Sequence, residues 1–372
     1  MESISTFRAG WRSAVRTGAA RIRATRPCAA ALIATVWLGV LPGAWAQPGR
    51  NASTPAMPPV IAPATASLPG GDAAPECIAP AKPGGGFDQS CKLAQAAFQQ
   101  AGLTTTPMRI SYMPGGVGAI AFDQIVTRRP AEPRTLVAFS SGSLLNLSHG
   151  RFGKRSVDDV RWVAAVGVDY GVVLVGRQAP WKTLPELLVA LKADPNRISF
   201  AAGGTIGSQD WVKSALVAGA GGVDHKAMRF VAFEGGGEAI AALKGGHVQV
   251  YMGDASEVFD KLGPNSPFRA LAVLSDQRLP GPLSGVPTAR EQGVDIVWPA
   301  IRGFYVGPKV SDGDVAAWTA TFERLMAAPA FGEVRARHGL FPLALTGAAL
   351  RAVIDRQNRE YVELATRFGL RR

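Results

Sequence analysis

Residues 76–102 combine a short apolar run, a glycine turn and an amphipathic segment, an order that predicts a strand, a turn and a helix. The apolar run closes with a proline at residue 80, which is typical of a strand that ends at a sheet edge. Leu93, Ala97 and Ala101 then recur four apart on one helix face. Because the first N–H groups of a helix lack intrahelical partners, this order indicates an anion-binding site over the turn. The alternative is a tight connection without a ligand.

The same order returns three more times, in residues 108–126, 198–221 and 228–246. A further strand ends at Asp254, and a helix is expected to start near Ala255. Strands that alternate with helices predict an α/β fold with parallel sheets covered on both faces. In such sheets ligands bind outside the carboxyl ends of the strands, where these glycine turns lie. Four turns that face one another across a cleft would be much stronger evidence for an anion site than one turn alone.

Two segments are predicted to carry the chain between sheets. Residues 161–176 form a long apolar stretch, interrupted at 167–170, that is long enough to leave one sheet and enter another. Residues 296–308 are predicted to form the returning strand, after which Ser311 and Thr346 open the last two helices.

The first 46 residues are predicted to be a secretory signal peptide. Six arginines precede an apolar run, and Ala44-Trp45-Ala46 supplies a cleavage site. The alternative, a retained membrane anchor, is disfavoured because the run is shorter than the roughly 20 residues of a spanning helix. Residues 47–75 are rich in Pro, Ala, Ser and Gly without periodicity, which predicts a disordered leader.

Composition and charge exclude several classes of protein. The 372 residues are 47% hydrophobic and 18% charged, enough for a packed core and about two domains. Loss of the signal peptide removes six basic side chains and one acidic one, so the net charge falls from +12 to +7. A mildly basic protein suits anionic ligands. Dense Lys/Arg clusters with interleaved aromatic residues are absent from the sequence, which argues against nucleic acid as a partner.

Two cysteines remain after removal of the segment that contains Cys28. Cys77 and Cys91 are predicted to pair, because an even number of cysteines in an exported chain favours a disulfide. The bridge would join the first strand to the first helix across the glycine turn. Metal binding is the alternative, but the four histidines show no paired spacing. The sequence therefore predicts no metal site and no cofactor.

Catalytic motifs are missing from the sequence. Residues 116–121 loosely match the dinucleotide-binding fingerprint, but the next strand ends in serines where an acidic residue would hold the ribose. No Ser/His/acid set, nucleophile elbow, phosphate-loop lysine or HExxH occurs. Asp88 and Asp254 could form a general acid–base pair, although a helix start and a ligand contact are the simpler roles. The chain is predicted to be a binder and not an enzyme.

Six stretches, in this order, resemble the periplasmic solute-binding receptors of tripartite tricarboxylate transporters, the Bug family. They are PAKPGGGFD, MPGGVGAIAFDQI, AAGGTIGS, FEGGGEAIAALKGGHVQVYMGD, RALAVLSDQR and GVPTAREQG. The paired cysteines around PGGG and the Trp298 to Gly303 segment look like the tricarboxylate-binding branch. The Pro/Ala-rich leader is a departure from the family pattern that bears on tethering only.

The resemblance implies a two-lobed periplasmic binding protein of the type II, Venus-flytrap kind, with two Rossmann-like parallel or mixed sheets and a double-crossover hinge. Lobe 1 would comprise residues 76–172 and 299–372, and lobe 2 residues 173–298. The implied function is capture of a small carboxylate, with a citrate-like tricarboxylate favoured, for the membrane subunits of the transporter. The receptor would be periplasmic and monomeric. An exported sensor for a signalling partner and an exported enzyme acting on a small carboxylic acid are the alternatives.

The resemblance also implies that backbone N–H and hydroxyl groups of both lobes hold one carboxylate. The residues carried over are Gly85, Gly86, Phe87, Gly116, Ser140 and Ser141 of lobe 1, and Thr205, Gly207, Ser208, Gly236 and Asp254 of lobe 2. Arg302 is added on chemical grounds, because a guanidinium beside the second crossing could bind a second carboxylate bidentately. The alternative for Arg302 is an exposed arginine on the returning strand.

Overall fold

The computed structural model describes residues 68–69, 74–104 and 106–370. The predicted signal peptide and most of the predicted leader lie outside the described residues. The end of the leader is part of the fold, since Leu68 is buried and the carbonyl of Pro69 accepts a hydrogen bond from Arg134 at 2.8 Å. The packed chain therefore includes residues that the sequence assigned to the leader.

Strands and helices alternate along the described chain, as the sequence predicts. The strands are β1 (Glu76–Ala79), β2 (Arg109–Tyr112), β3 (Thr135–Ser140), β4 (Arg161–Gly176), β5 (Ser199–Gly203), β6 (Arg229–Phe233), β7 (Val250–Asp254), β8 (Phe268–Leu274), β9 (Pro299–Val306) and β10 (Leu345–Thr346). The helices are α1 (Gly86–Gln100), α2 (Ala119–Thr127), α3 (Ser141–Ser148), α4 (Leu184–Ala193), α5 (Gln209–Ala220), α6 (Gly236–Lys244), α7 (Ala255–Val258), α8 (Asp312–Ala327), α9 (Pro329–Arg337) and α10 (Gly347–Arg367). The four predicted strand, turn and helix units are confirmed.

Local sequence explains where the helices begin. The hydroxyl of Ser208 accepts the N–H of Trp211 at 3.3 Å and caps α5, as predicted. Ser311 and Thr346 open α8 and α10, but the prediction that these are the last two helices is wrong because α9 lies between them. Pro329 in the first turn of α9 suits a helix start, since its missing N–H would have no intrahelical acceptor there.

The strands form a mixed sheet with two parallel parts. β2, β1 and β3 run parallel, and so do β7, β5 and β6. The 16-residue strand β4 joins them: its residues 161–170 pair antiparallel with β9, and its residues 171–176 pair antiparallel with β7 and β8. We call the strands on the β9 side the first strand group and those on the β7 side the second strand group. The long segment thus leaves one set of strands and enters another, as predicted.

Apolar side chains fill the layers between the sheet and its helices. In the first strand group, Phe98 of α1 makes edge contacts with Trp318 and Phe322 of α8. In the second, Phe200 and Tyr251 are fully buried. Cys77 and Cys91 form the predicted disulfide, with their Cα atoms 5.6 Å apart, which ties β1 to α1. Within the described residues, no helix combines the length and apolar character that a membrane crossing needs.

We expect the double substitution Cys77→Ser/Cys91→Ser to lower the free energy of unfolding by about 3 kcal/mol, because cross-linking a loop of about 15 residues restricts the unfolded chain by that amount. Urea unfolding of the oxidised wild-type protein and the variant measures the difference. Equal midpoints and slopes would contradict a stabilising role for the bridge.

Candidate functional site

The carboxyl ends of β1, β3, β5, β6 and β7 converge on one open cleft with about 500 Å³ of empty space. Each of the four predicted glycine turns contributes lining residues, among them Gly85, Val117, Gly204 and Gly235. The cleft lies between the first and second strand groups, so helix N-termini from both groups face it.

A carboxylate occupies the N-termini of two helices in this cleft. The Oε1 of Glu257 accepts the N–H of Gly86, the first residue of α1, at 2.7 Å. The same carboxylate lies directly against Gly236, the first residue of α6, where an added Cβ would be 2.5 Å from Oε1. Both helices have at least nine residues, so their dipoles and unpaired N–H groups favour a negative charge at this point. We call this place the carboxylate seat.

Glycine is required at both helix starts because side chains approach the backbone closely. A Cβ on Gly86 would overlap the guanidinium of Arg302, and a Cβ on Gly236 would overlap the carboxylate of Glu257. Either substitution would need these buried groups to move. These glycines therefore allow charged groups to lie close to backbone N–H groups, as the sequence indicated.

Below the seat, two cations and two carboxylates form a buried ion cluster. The Nη2 of Arg302 donates to Asp254 at 2.5 Å and to Asp169 at 3.0 Å. The Nζ of Lys213 donates to the other oxygen of Asp254 at 2.7 Å and to the carbonyl of Gly253 at 2.7 Å. Each of the four charged side chains is at most 2% exposed. The members come from β4, β7, β9 and α5, so the cluster links the two strand groups.

Two further acids make the region around the cluster rich in negative charge. Asp210 lies 2.8 Å from the Nζ of Lys213, and Glu257 caps α7 by accepting the N–H of Asp254 at 3.1 Å. Burial raises the pKa of Asp210 to about 7 and that of Asp169 to about 6. Although burial opposes it, Lys213 and Arg302 hold the pKa of Asp254 below its usual range. Protonation of Asp210 and Asp169 therefore lowers the net negative charge of this region in mildly acidic solution.

Gln209 presents an acceptor to the cleft. Its Nε2 donates to Asp254 at 2.7 Å, which orients the amide, and no described residue donates a hydrogen bond to its Oε1. Val117 lines the opposite side with left-handed backbone angles, φ 55° and ψ 43°, which are rare for a β-branched residue. Residues held in such sparsely populated conformations cluster at functional sites, so this strain accords with a binding role for the cleft.

Seven of the twelve predicted ligand-binding residues line the cleft: Gly85, Gly86, Phe87, Ser140, Gly236, Asp254 and Arg302. The prediction offered two alternatives for Arg302, and the exposed one is wrong because the side chain is 2% exposed. Its Nη2 donates to the chain's own Asp169 and Asp254, while its Nε has no hydrogen-bond partner among the described residues.

The other five predicted residues lie outside the lining: Gly116, Ser141, Thr205, Gly207 and Ser208. The hydroxyl of Ser141 accepts the N–H of Ile301 at 2.9 Å and donates to Gln357, so it joins β9 to α10. The hydroxyl of Ser208 caps α5. Val117, next to Gly116, and Gly204, next to Thr205, line the cleft instead, whereas the carbonyl of Gly207 lies 3.2 Å from the Nε2 of His149.

Sequence reasoning missed Gln209, Asp210 and Glu257. Local signals for them exist: Asp254 and Glu257 have the D-x-x-E spacing of a capping box, which α7 forms, and Asp210 and Lys213 are three apart on a helix. These signals predict a helix start and an ion pair. They do not predict that α7 and α5 bring the acids to the carboxylate seat.

The sequence of this chain matches a family model and a known protein. Residues 95–370 match the family model described as tripartite tricarboxylate transporter family receptor. The UPF0065 protein in the tcbD-tcbE intergenic region of Pseudomonas sp. (strain P51) is 25% identical over 220 residues, which cover 58% of this chain and 61% of that protein. The match thus spans less than two thirds of that relative.

Solved structures share the fold. The structure of the periplasmic binding protein BugD has a TM-score of 0.71 at 20% identity, over 80% of this chain and 98% of that one. MatC from Rhodopseudomonas palustris with bound malate has a TM-score of 0.67 at 21% identity, over 78% of this chain and 98% of that one. The predicted α/β fold of periplasmic binding proteins, with a mixed sheet, is confirmed.

Replacement of Asp210 by Asn should reduce the pH dependence of stability between pH 6 and 8. The folded carboxyl has its pKa raised to about 7, whereas the unfolded one stays ionised, so its contribution to stability is lost as pH rises through about 7. The free energy of unfolding of the wild-type protein should therefore be greater at pH 6 than at pH 8 by about 1 kcal/mol from this group alone.

Urea unfolding at both pH values tests this, with Asp260→Asn as a matched control because that carboxylate is 71% exposed. Asp210→Asn should flatten the profile and Asp260→Asn should leave it unchanged. Equal pH dependence in wild type and Asp210→Asn would show that Asp210 is already ionised in the folded protein.

Proposed function

Because this chain belongs to the receptor family of the tripartite tricarboxylate transporters, we propose that it is a solute-binding receptor that captures a small carboxylate in its cleft. The family is one of receptors and not of enzymes. The observation that carries the proposal is the carboxylate seat: the first N–H of α1 donates to the carboxylate of Glu257, which also lies against the start of α6. A ligand carboxylate has the same chemistry and the same partners.

The energetics suit a transport receptor. Hydrogen bonds that involve a charged group contribute roughly 1.5–3 kcal/mol each. Three or four of them together supply about 5–12 kcal/mol, and the cost of ordering the ligand and the cleft is subtracted from that sum, which limits the affinity to about −8 kcal/mol, the micromolar range. Such a receptor captures a dilute solute and still releases it. MatC, which shares the fold, was solved with bound malate, a small carboxylate.

The proposal includes two lobes that close on the ligand. The first strand group with residues 76–172 and 299–372 would form lobe 1, and the second strand group with residues 173–298 lobe 2. Contacts that bridge these ranges support it, since Glu257 binds Gly86 and the Nζ of Lys82 donates to Glu238 at 2.7 Å. A monomeric, periplasmic receptor, its signal peptide cleaved near Ala46, would then present both lobes to the membrane subunits.

Titration with a panel of succinate, malate, citrate and an uncharged sugar, followed by calorimetry and thermal shift, tests the function. We expect saturable, micromolar binding of at least one carboxylate and none of the sugar, because the seat provides N–H donors and positive dipole ends. A single carboxylate product formed on incubation, or no binding across the carboxylates, would contradict a receptor for this class.

The substitution Gly236→Ala tests the seat within the same experiment. Its Cβ would fill the space beside the first N–H of α6, so affinity for the bound carboxylate should fall at least about tenfold. Gly219→Ala is the matched control, because Gly219 also lies in a helix and a Cβ there has no neighbour within 4 Å. Equal affinity of the two variants would place the ligand elsewhere.

A citrate-like tricarboxylate is the finer form of the proposal. Arg302 supports it, since the guanidinium lies against Gly86 in the seat and its Nε has no hydrogen-bond partner in the part of the chain that the structure describes. A second ligand carboxylate at that edge would gain a charge-assisted contact without displacing Asp169 or Asp254.

Arg302→Lys should therefore reduce the preference for citrate over succinate about tenfold, because lysine keeps the charge beside Asp254 but loses the planar fork. The ratio of the two dissociation constants is the measurement, so a general loss of stability cancels. An unchanged ratio would restrict Arg302 to its ion cluster and leave the small-carboxylate function in place.

A further inference from the structure

The carboxylate of Glu257 is held in the seat from both sides. Its Oε1 accepts the Gly86 N–H at 2.7 Å, while its Oε2 accepts the Asp254 N–H at 3.1 Å and the hydroxyl of Tyr251. The side chain is 5% exposed. It comes from α7, in the second strand group, and reaches α1, in the first. Glu257 thus makes, within the chain, the contact proposed for a ligand carboxylate.

Two carboxylates cannot both bind fully at this position. The Gly86 N–H is a single donor, and the carbon and both oxygens of Glu257 lie within 2.7 Å of the place where a Cβ of Gly236 would be. Two like charges in contact repel strongly in a poorly hydrated cleft. A ligand carboxylate at these helix ends therefore requires Glu257 to leave them.

We propose that Glu257 is an internal competitor that occupies the carboxylate seat of the empty receptor and that the ligand carboxylate displaces. The inference rests on the proposed receptor function and deepens it. Glu257 links the two strand groups when no ligand is present. The free energy of its own contact with the seat is therefore subtracted from the free energy of ligand binding. Glu257 thereby sets the ligand concentration at which the receptor becomes occupied. It also makes release of the ligand easier.

The partners of Glu257 fit this role. Tyr251 and the backbone of Asp254 belong to the same strand group as Glu257, so they hold the side chain next to the seat whether or not Gly86 is bound. The contact with Gly86 is the one that crosses between the groups. Competition at this single contact is sufficient to couple ligand entry to departure of Glu257.

Glu257→Gln tests the proposal with citrate, malate and succinate as probes, measured by calorimetry. The amide keeps the shape but loses the charge, so it binds the seat more weakly, and the dissociation constant of the bound probe should fall about tenfold. The empty variant should unfold at a lower temperature than the empty wild-type protein, while the probe raises its unfolding temperature by more. A residue with a purely structural role would lower stability without tightening binding.

Asp260→Asn is the matched control, because it removes a carboxylate three positions from Glu257 whose side chain is 71% exposed and paired with Lys261 outside the seat. It should change the dissociation constant less than about twofold. Repeating both titrations at 0.5 M NaCl separates the two effects, since salt screens exposed charges far more than buried ones. The gain from Glu257→Gln should persist at high salt.

Different failures have different meanings. Tighter binding by Glu257→Gln, including binding seen in this variant alone, supports the competitor role. Wild-type binding that Glu257→Gln leaves equal or weakens overturns the competitor and leaves the receptor function standing. Absence of binding in both the wild-type protein and the variant overturns both the competitor role and the receptor function. A structure of the wild-type complex gives a second measurement that does not depend on a variant: Glu257 still bound to the Gly86 N–H beside a bound probe would refute displacement.

Discussion

The buried ion cluster of Arg302, Asp169, Asp254 and Lys213 is the constraint on which the cleft depends. A charge taken out of water must be paired, and removal of one partner from a buried pair costs about 3–5 kcal/mol. Here the partners come from three strands and one helix that belong to different parts of the sheet. The observed arrangement of the strands pairs these charges, and it also brings the N-termini of α1 and α6 together at the cleft.

The same cluster explains how an acid-rich cleft can still hold a carboxylate. Asp254, Asp210 and Glu257 would repel an anion if they stood alone, but Lys213 and Arg302 pair with the first of these and protonation lowers the charge of the second. What the seat itself offers is backbone: N–H groups and dipole ends that stay positive at every pH. Backbone donors supply attraction and the buried cations cancel repulsion, so neither alone would produce the seat.

Most of the fold and about half of the site were predictable, because their signals are local. Glycine before a helix indicates where a turn approaches a ligand, whereas the choice of Gly86, Gly236 and Asp254 came from the resemblance to the receptor family. Helix α3 was missed because its start, the serines after β3, was interpreted as ligand hydroxyls. The role of Glu257 was invisible because its carboxylate meets Gly86 171 positions away in sequence, and no local pattern encodes that contact.

Arg302 shows where chemical reasoning from sequence reaches its limit. The residue type was identified as a group for a ligand carboxylate, and the structure places it at the seat, yet its strongest partners are Asp169 and Asp254. A buried guanidinium must first neutralise the acids beside it, because an unpaired carboxylate there would cost more than a ligand contact returns. By pairing Asp254 it allows negative charge to approach α1, and its Nε, which has no hydrogen-bond partner among the described residues, remains available for the proposed ligand.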